Sequence, residues 1–247
     1  MEETTDSLFG GALTCRQHGR GYRFSLDAVV VARWTEIRGE RCVLDLGCGN
    51  GIIGLILCRL HPHLHLTGIE LQHSLAGLAR RNIRDNGLQQ RFRILEGDLL
   101  HIRDLVPAES FDMVVSNPPY GRPPQGRVSR NREKAQARHE LCGRLEDFCR
   151  AAAWSLKNRG RMVVVYPAGR LVRLMAALAR EHLVVKRLQP VYSYPEDSRA
   201  RLVLAEAVKN GGDELVVLKP FYVYSSKNGP YSEEMAACYR LGPEAVS

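Results

Sequence analysis

Residues Asp45-Leu46-Gly47-Cys48-Gly49-Asn50-Gly51 join an apolar run, Cys42-Val43-Leu44-Asp45-Leu46, to an apolar stretch over 52–60. A buried strand that runs through glycines straight into a helix is the first half of a strand–helix–strand crossover. The same alternation continues, with strands expected at 64–70, 92–95, 111–116 and 162–166 and helices at 74–86, 145–157 and 168–181. Gly87 stops the second of the crossover helices. Strands at 183–191 and 202–209 flank Tyr194-Pro195-Glu196-Asp197-Ser198 and read as an antiparallel hairpin closing one edge. Such alternation demands an α/β, doubly wound, mostly parallel sheet with right-handed crossovers. Its expected size is seven strands, with 215–224 adding a last strand or a covering segment and 233–239 a short helix. Before it, a ragged N-terminus leads to a short strand, Gly21-Tyr22-Arg23-Phe24, and a helix over 26–34 capped by Ser25. Residues 1–40 are thus expected to form an extension packed on a catalytic domain spanning 41–247.

Ligands of open parallel sheets settle beyond the carboxyl ends of the strands, where the glycine loop lies. Two cofactors compete for it. Gly49, Gly51 and Gly54 match the spacing of a dinucleotide fingerprint, and Glu70 ends the second strand at the distance expected for gripping a ribose. That reading leaves Gly47 outside the fingerprint and Asp45 without a purpose. S-adenosylmethionine has a ribose but no phosphate, so Asp45 can hold its cationic amino-acid end and Glu70 its ribose hydroxyls. Asp98, in Glu96-Gly97-Asp98 after the third strand, can accept from the adenine amino group; a plain turn cap is the alternative. One acidic group at the end of each of three successive strands fits S-adenosylmethionine better. The expected cofactor set is Asp45, Gly47, Gly49, Gly51, Glu70, Leu71, Asp98 and Leu99.

The fourth strand ends in Ser116-Asn117-Pro118-Pro119-Tyr120. An amide acceptor, a stiff turn fixing a carbonyl and an aromatic face suit a flat group bearing an NH2, although Asn and Pro also dominate ordinary turns. Directly after it come Arg122, Arg127, Arg130, Arg132, Lys134 and Arg138 against one acid, Glu133, in a chain of net charge +8. A basic stretch beside a candidate site favours a polyanion such as RNA, where a charge-rich loop elsewhere would be merely solvated. The seven cysteines form no Cys-x-x-Cys pair, so reduced thiols are expected rather than disulfides or zinc. His61, His63 and His65 read as a solvated approach to a strand, and no metal is expected. Without a long apolar run or a basic leader, the chain is expected to be soluble and cytoplasmic, with no membrane partner.

These motifs resemble the class I, Rossmann-like methyltransferases whose fourth strand ends in Asn-Pro-Pro-Tyr. The chain is similar, more narrowly, to the bacterial tRNA(Val) adenine-N6 methyltransferases, which modify the adenine beside the anticodon. The narrower likeness rests on Gly21 to Ala32, Leu44 to Ile53, Gly68-Ile69-Glu70-Leu71-Gln72, Arg138-His139-Glu140 and Tyr194 to Ala200, besides the tetrapeptide.

The resemblance implies that Asn117 and the Pro118 carbonyl accept from the target NH2, that Pro119 stiffens the turn and that Tyr120 stacks on the base. It also implies that Phe24, Ser25 and Asp27 help close the cofactor site, against core packing for Phe24 and a first-turn helix charge for Asp27. Residues 122–138 would grip phosphates of a tRNA whose target base is splayed out of a loop. Methylation of a protein glutamine presents the same NH2, but release-factor enzymes carry an N-terminal helical domain and only about forty residues precede the first strand here. Guanine-N2 methylation of rRNA stays open, though enzymes of that type show Phe after the prolines and a duplicated domain. An RNA-binding module with lapsed catalysis is the reading from another class; the complete motif set speaks against decay.

Overall fold

In a computed structural model, residues 3–19, 26–120 and 144–242 are described. The expected strand at 21–24, the Ser25 cap, Phe24, the basic residues of 122–138, Arg138-His139-Glu140 and Cys142 lie outside the described residues.

The crossover units form as the apolar pattern requires. Strand β3 (Cys42–Leu46) is followed by helix α2 (Ile52–Leu60), β4 (His65–Glu70) by α3 (His73–Asp85), and β5 (Phe92–Glu96) by the short α4 (Ile102–Leu105). Then come β6 (Phe111–Ser116), α5 (Leu145–Ser155), β7 (Leu156–Pro167), α6 (Leu171–Arg180), β8 (Leu183–Tyr192) and β9 (Leu202–Lys209). The order across the sheet is β8-β9-β7-β6-β3-β4-β5, parallel from β7 to β5 and antiparallel on both sides of β9. Two short strands, β10 (Val216–Val217) and β11 (Phe221–Tyr222), run parallel to β8, so the segment 215–224 extends the seven long strands to nine.

Side chains alternate between two cores, as a sheet covered on both faces requires. Val43, Met113, Val115, Val163 and Val165 pack with α2 and with α1 (Leu26–Trp34). Leu44, Leu46, Val114, Met162 and Val164 pack with Phe148, Leu174 and Leu178 of α5 and α6. Strand β7 begins six residues earlier than the apolar pattern suggests: Leu156 pairs with Phe111, a register shift passes over Lys157-Asn158-Arg159-Gly160, and pairing along β6 resumes at Arg161. There Arg161 is buried between Glu206 of β9, at 2.7 Å, and Glu40, while Arg38 and Arg187 also reach Glu206. This charge-compensated cluster ties the α1–β3 connection to the sheet.

The N-terminus is not ragged. Strands β1 (Glu3–Leu8) and β2 (Leu13–His18) form an antiparallel hairpin. Among the described residues the outer edge of β2 has no strand partner; α3 supplies one through side chains. The Asn82 amide accepts from Arg16 N–H at 2.8 Å and donates to Arg16 O at 3.0 Å, and Asn86 does the same with Thr14 at 3.0 and 2.7 Å. Four residues of helix rise about 6 Å and two residues of strand nearly 7 Å, so the spacings match. Asn82 is fully buried and also donates to Asn50 O in the glycine loop at 2.9 Å. Asn82→Ala leaves several buried backbone groups unpaired and should lower the unfolding free energy in urea by about 2–4 kcal/mol. A loss under ~0.5 kcal/mol, the range of neutral surface changes, would contradict this role for the amide.

Candidate active site at the carboxyl edge of the sheet

The glycine loop needs its glycines. Gly47, Gly49 and Gly51 have φ of 67°, 58° and 86°, and a Cβ on Gly47 would lie 3.0 Å from the Phe148 ring. Glu70, at the end of β4, holds this loop in place. One carboxylate oxygen accepts from Gly49 N–H at 2.9 Å and the other from Gln72 N–H at 2.8 Å, so a single side chain clamps the β3–α2 and β4–α3 turns together. Burial raises its pKa despite these amides.

Asp45 is the counterpart without a clamp. It is fully buried, and neither carboxylate oxygen has a hydrogen-bond partner of ordinary geometry among the described residues. Burial, then the neighbouring Glu70 carboxylate, pushes its pKa up to about 8, with the Gly54 amide opposing both. A buried carboxyl so placed calls for a cationic or hydrogen-bond-donating group, which the ammonium end of S-adenosylmethionine would supply. The donor set therefore fits this cofactor.

Asp98 caps the turn Leu99–His101, its Oδ1 accepting from Leu100 N–H at 2.9 Å, at the end of the third strand. Leu71 and Leu99 stand half-buried beside the second and third strand ends. Glu96 is drawn to His73 and Arg80 on α3.

At the end of β6, Ser116 Oγ donates to Leu46 O at 2.9 Å and locks the tetrapeptide to the strand that carries the glycine loop. Tyr120 Oη lies 2.7 Å from Asn117 Oδ1 and 3.2 Å from Asp27 Oδ2. Its ring meets the buried Tyr166 edge to face at 5.9 Å, and Arg170 donates to its carbonyl at 3.0 Å. Pro118 is buried and Pro119 half-buried. The structure thus brings Asp27, Asn117 and Tyr120 together from segments ninety residues apart, beside the Asp45 and Glu70 strand ends. Sequence reading missed Arg170, Tyr166 and Asn50; the first two could have been suspected from their place at the carboxyl end of β7. Asn50, fully buried, donates to Cys15 Sγ at 3.2 Å and so joins the glycine loop to the N-terminal hairpin.

The sequence model of the family described as "Methyltransferase small domain" matches residues 28–187. The chain belongs to that family. It is a class I methyltransferase that uses S-adenosylmethionine, and it is related to bacterial tRNA1(Val) adenine-N6 methyltransferases. It is 31% identical over 194 residues to the tRNA1(Val) (adenine(37)-N6)-methyltransferase of Porphyromonas gingivalis, covering 76% of this chain and 75% of the relative. To the protein of the same name from Bacteroides thetaiotaomicron it is 26% identical over 205 residues, 81% and 84% of the two chains. The fold is shared with the crystal structure of a predicted O-methyltransferase from Agrobacterium tumefaciens, with TM-score 0.69, 20% identity and coverage of 86% and 95%. TrmN from Thermus thermophilus superposes with TM-score 0.52 at 24% identity, over 74% of this chain and 48% of that one. Among the described residues no helix is long and apolar enough to cross a membrane, and no group of three or more His, Cys, Asp or Glu is placed to hold a metal.

The Asp45 environment makes stability depend on pH in a defined direction. Its folded pKa of about 8 lies above the ordinary carboxylate value, so folding carries no penalty below about pH 4 and loses stability as pH rises toward 8. In cofactor-free protein, Asp45→Asn should raise the thermal midpoint more at pH 8 than at pH 5. An equal shift at both, or a fall at pH 8, would contradict the buried-acid assignment.

Proposed function

We propose that the protein methylates N6 of an adenine in tRNA, in the anticodon loop of a tRNA(Val). The observation that carries this reading is the Asn117–Tyr120–Asp27 constellation at the end of β6, next to the strand ends that suit the cofactor; the names of the relatives support the choice of acceptor.

When bound, S-adenosylmethionine supplies a methyl group made electrophilic by its positively charged sulfur. The chain's own residues prepare the amine. Tyr120 Oη donates to one lone pair of Asn117 Oδ1, which fixes the amide with its oxygen toward the turn and leaves a second lone pair for an incoming NH2. The Pro118 carbonyl, held by a Pro-Pro turn with almost no freedom, accepts the other amino hydrogen. Two acceptors draw the hydrogens out of the base plane, free the nitrogen lone pair and stabilise positive charge as it develops on nitrogen. A strong base is unnecessary, because the proton can leave afterwards. Asp45 would hold the cofactor's ammonium, Glu70 its ribose and Asp98 its adenine, with Asp27 and the segment around Phe24 closing over them. The six basic residues of 122–138 would bind RNA phosphates, a role that rests on the sequence alone. In this reading residues 1–40 serve as an extension that packs on the catalytic domain of 41–247.

Incubation with methyl-labelled cofactor and bulk tRNA, followed by digestion to nucleosides, should place label in N6-methyladenosine; label in protein glutamine or in N2-methylguanosine instead would overturn it. Asn117→Ala should lower kcat about 100-fold or more while tRNA affinity changes less than about twofold, and an unchanged rate would refute the assigned role. Tyr120→Phe, which keeps the ring and loses one orienting hydrogen bond, should lower kcat about tenfold, roughly 1.4 kcal/mol.

A further inference from the structure

The antiparallel half of the sheet ends at the same edge as the candidate site. β8 is antiparallel to β9, which is antiparallel to β7, so β8 points the same way as β6. The loop 193–201 and the carboxyl end of β11 therefore stand on the substrate side of the molecule. Hydrogen bonds make this a continuous wall. Arg170 donates to Tyr120 O at 3.0 Å, Ala168 N–H in the same turn donates to Arg201 O at 3.0 Å, and Arg201 N–H to Val191 O at 2.7 Å. Beyond β8, Tyr224 N–H donates to Ser193 O at 2.8 Å. From β6 to β11 there are four strand steps, about 19 Å at ~4.8 Å each.

The wall carries the side chains that single-stranded nucleic acid needs. Tyr224, Tyr231 and Tyr239 form a stack with centroids 5.4 and 5.9 Å apart, and its first two members are 37% and 43% exposed. Arg199 and Lys227 are exposed and make no ion pair among the described residues, and Arg201 has a 72% exposed side chain with only a 3.7 Å contact to Asp197. Of the two acids in the loop, Asp197 is turned inward, its side chain 17% exposed, and Glu196 is exposed, set against the exposed Arg199, Arg201 and Lys227. Exposed rings accept bases of any identity, and guanidinium groups beside them hold the backbone.

We infer that the loop 193–201 and the tyrosine stack headed by Tyr224 form a second RNA-binding surface, on which an unpaired loop lies while its target base sits at Asn117. The inference rests on the RNA reading of the active site. The 19 Å wall takes roughly five or six nucleotides at ~3.4 Å each, the scale of a hairpin loop rather than of one modified base. A base would stack on Tyr224 at the head of the stack, with Tyr231 and Tyr239 backing its ring, and Arg199 would contact a phosphate.

The test uses the full-length enzyme with tRNA as substrate and the variants Arg199→Gln, Tyr224→Leu and Tyr224→Phe. Tyr224→Leu should raise KM for tRNA about 5–100-fold, with Tyr224→Phe close to the parent because it keeps the ring. Arg199→Gln should raise KM and make the slope of log affinity against log salt shallower by about 0.7. For all three, kcat and S-adenosylhomocysteine affinity should stay within about twofold, which a general loss of folding would not allow. An unchanged KM and salt slope in both Arg199→Gln and Tyr224→Leu, with tRNA still methylated, would overturn this surface and leave the proposed function standing. Absence of RNA methylation by the unaltered enzyme would overturn both.

Discussion

Two carboxyl groups are buried at the ends of adjacent strands, and the site is organised around their unequal treatment. Glu70 is satisfied by amides of two different loops, and so helps to fix the position of a glycine loop whose left-handed turns its glycines permit. Asp45, one strand over, has the Gly54 amide set against its burial and no hydrogen bond of ordinary geometry among the described residues. A buried carboxyl without partners is costly to ionise, and the fold tolerates it because parallel packing on both faces holds β3 regardless. In the proposed role that cost is offset when a cationic ligand arrives.

The acceptor half of the site depends on the donor half through short, rigid links. Ser116 fastens β6 to β3 just below the tetrapeptide, and Tyr120 spans from Asn117 to Asp27 on the first turn of α1. The N-terminal hairpin is coupled to the same loop from below, through Asn82, Asn50 and Cys15. A change at Asn82 therefore acts on the glycine loop at Asn50, next to the Gly49 amide that Glu70 holds. The constellation sits on strand ends and a helix start, which hold catalytic groups more precisely than a free loop would.

Much of this was legible from the residues alone. The parallel strands showed because they are largely apolar runs, and the acid at the end of each of three runs drew the candidate site to the carboxyl edge. What was not legible depended on partners distant in sequence. The hairpin of 3–18 reads as polar and frayed until Asn82 and Asn86 are seen to replace the missing strand. The early start of β7 is hidden because Arg161 looks like loop until Glu40 and Glu206 surround it. Asp98 illustrates a different limit: a cap and a ligand contact need the same residue type at the same place, and sequence could not separate them. Asp27 is a first-turn charge of α1 that also reaches Tyr120 Oη, a contact between segments ninety residues apart that no local pattern announces.

The claim that Asp45 is kept protonated until the cofactor's ammonium reaches it can be measured directly. Titration calorimetry of S-adenosylhomocysteine binding near pH 7, in buffers of different ionisation enthalpy, counts the protons released. With a folded pKa of about 8, the account predicts a release approaching one proton per molecule bound, abolished in Asp45→Asn together with most of the affinity. Binding without proton release, or with release unchanged in Asp45→Asn, would contradict it.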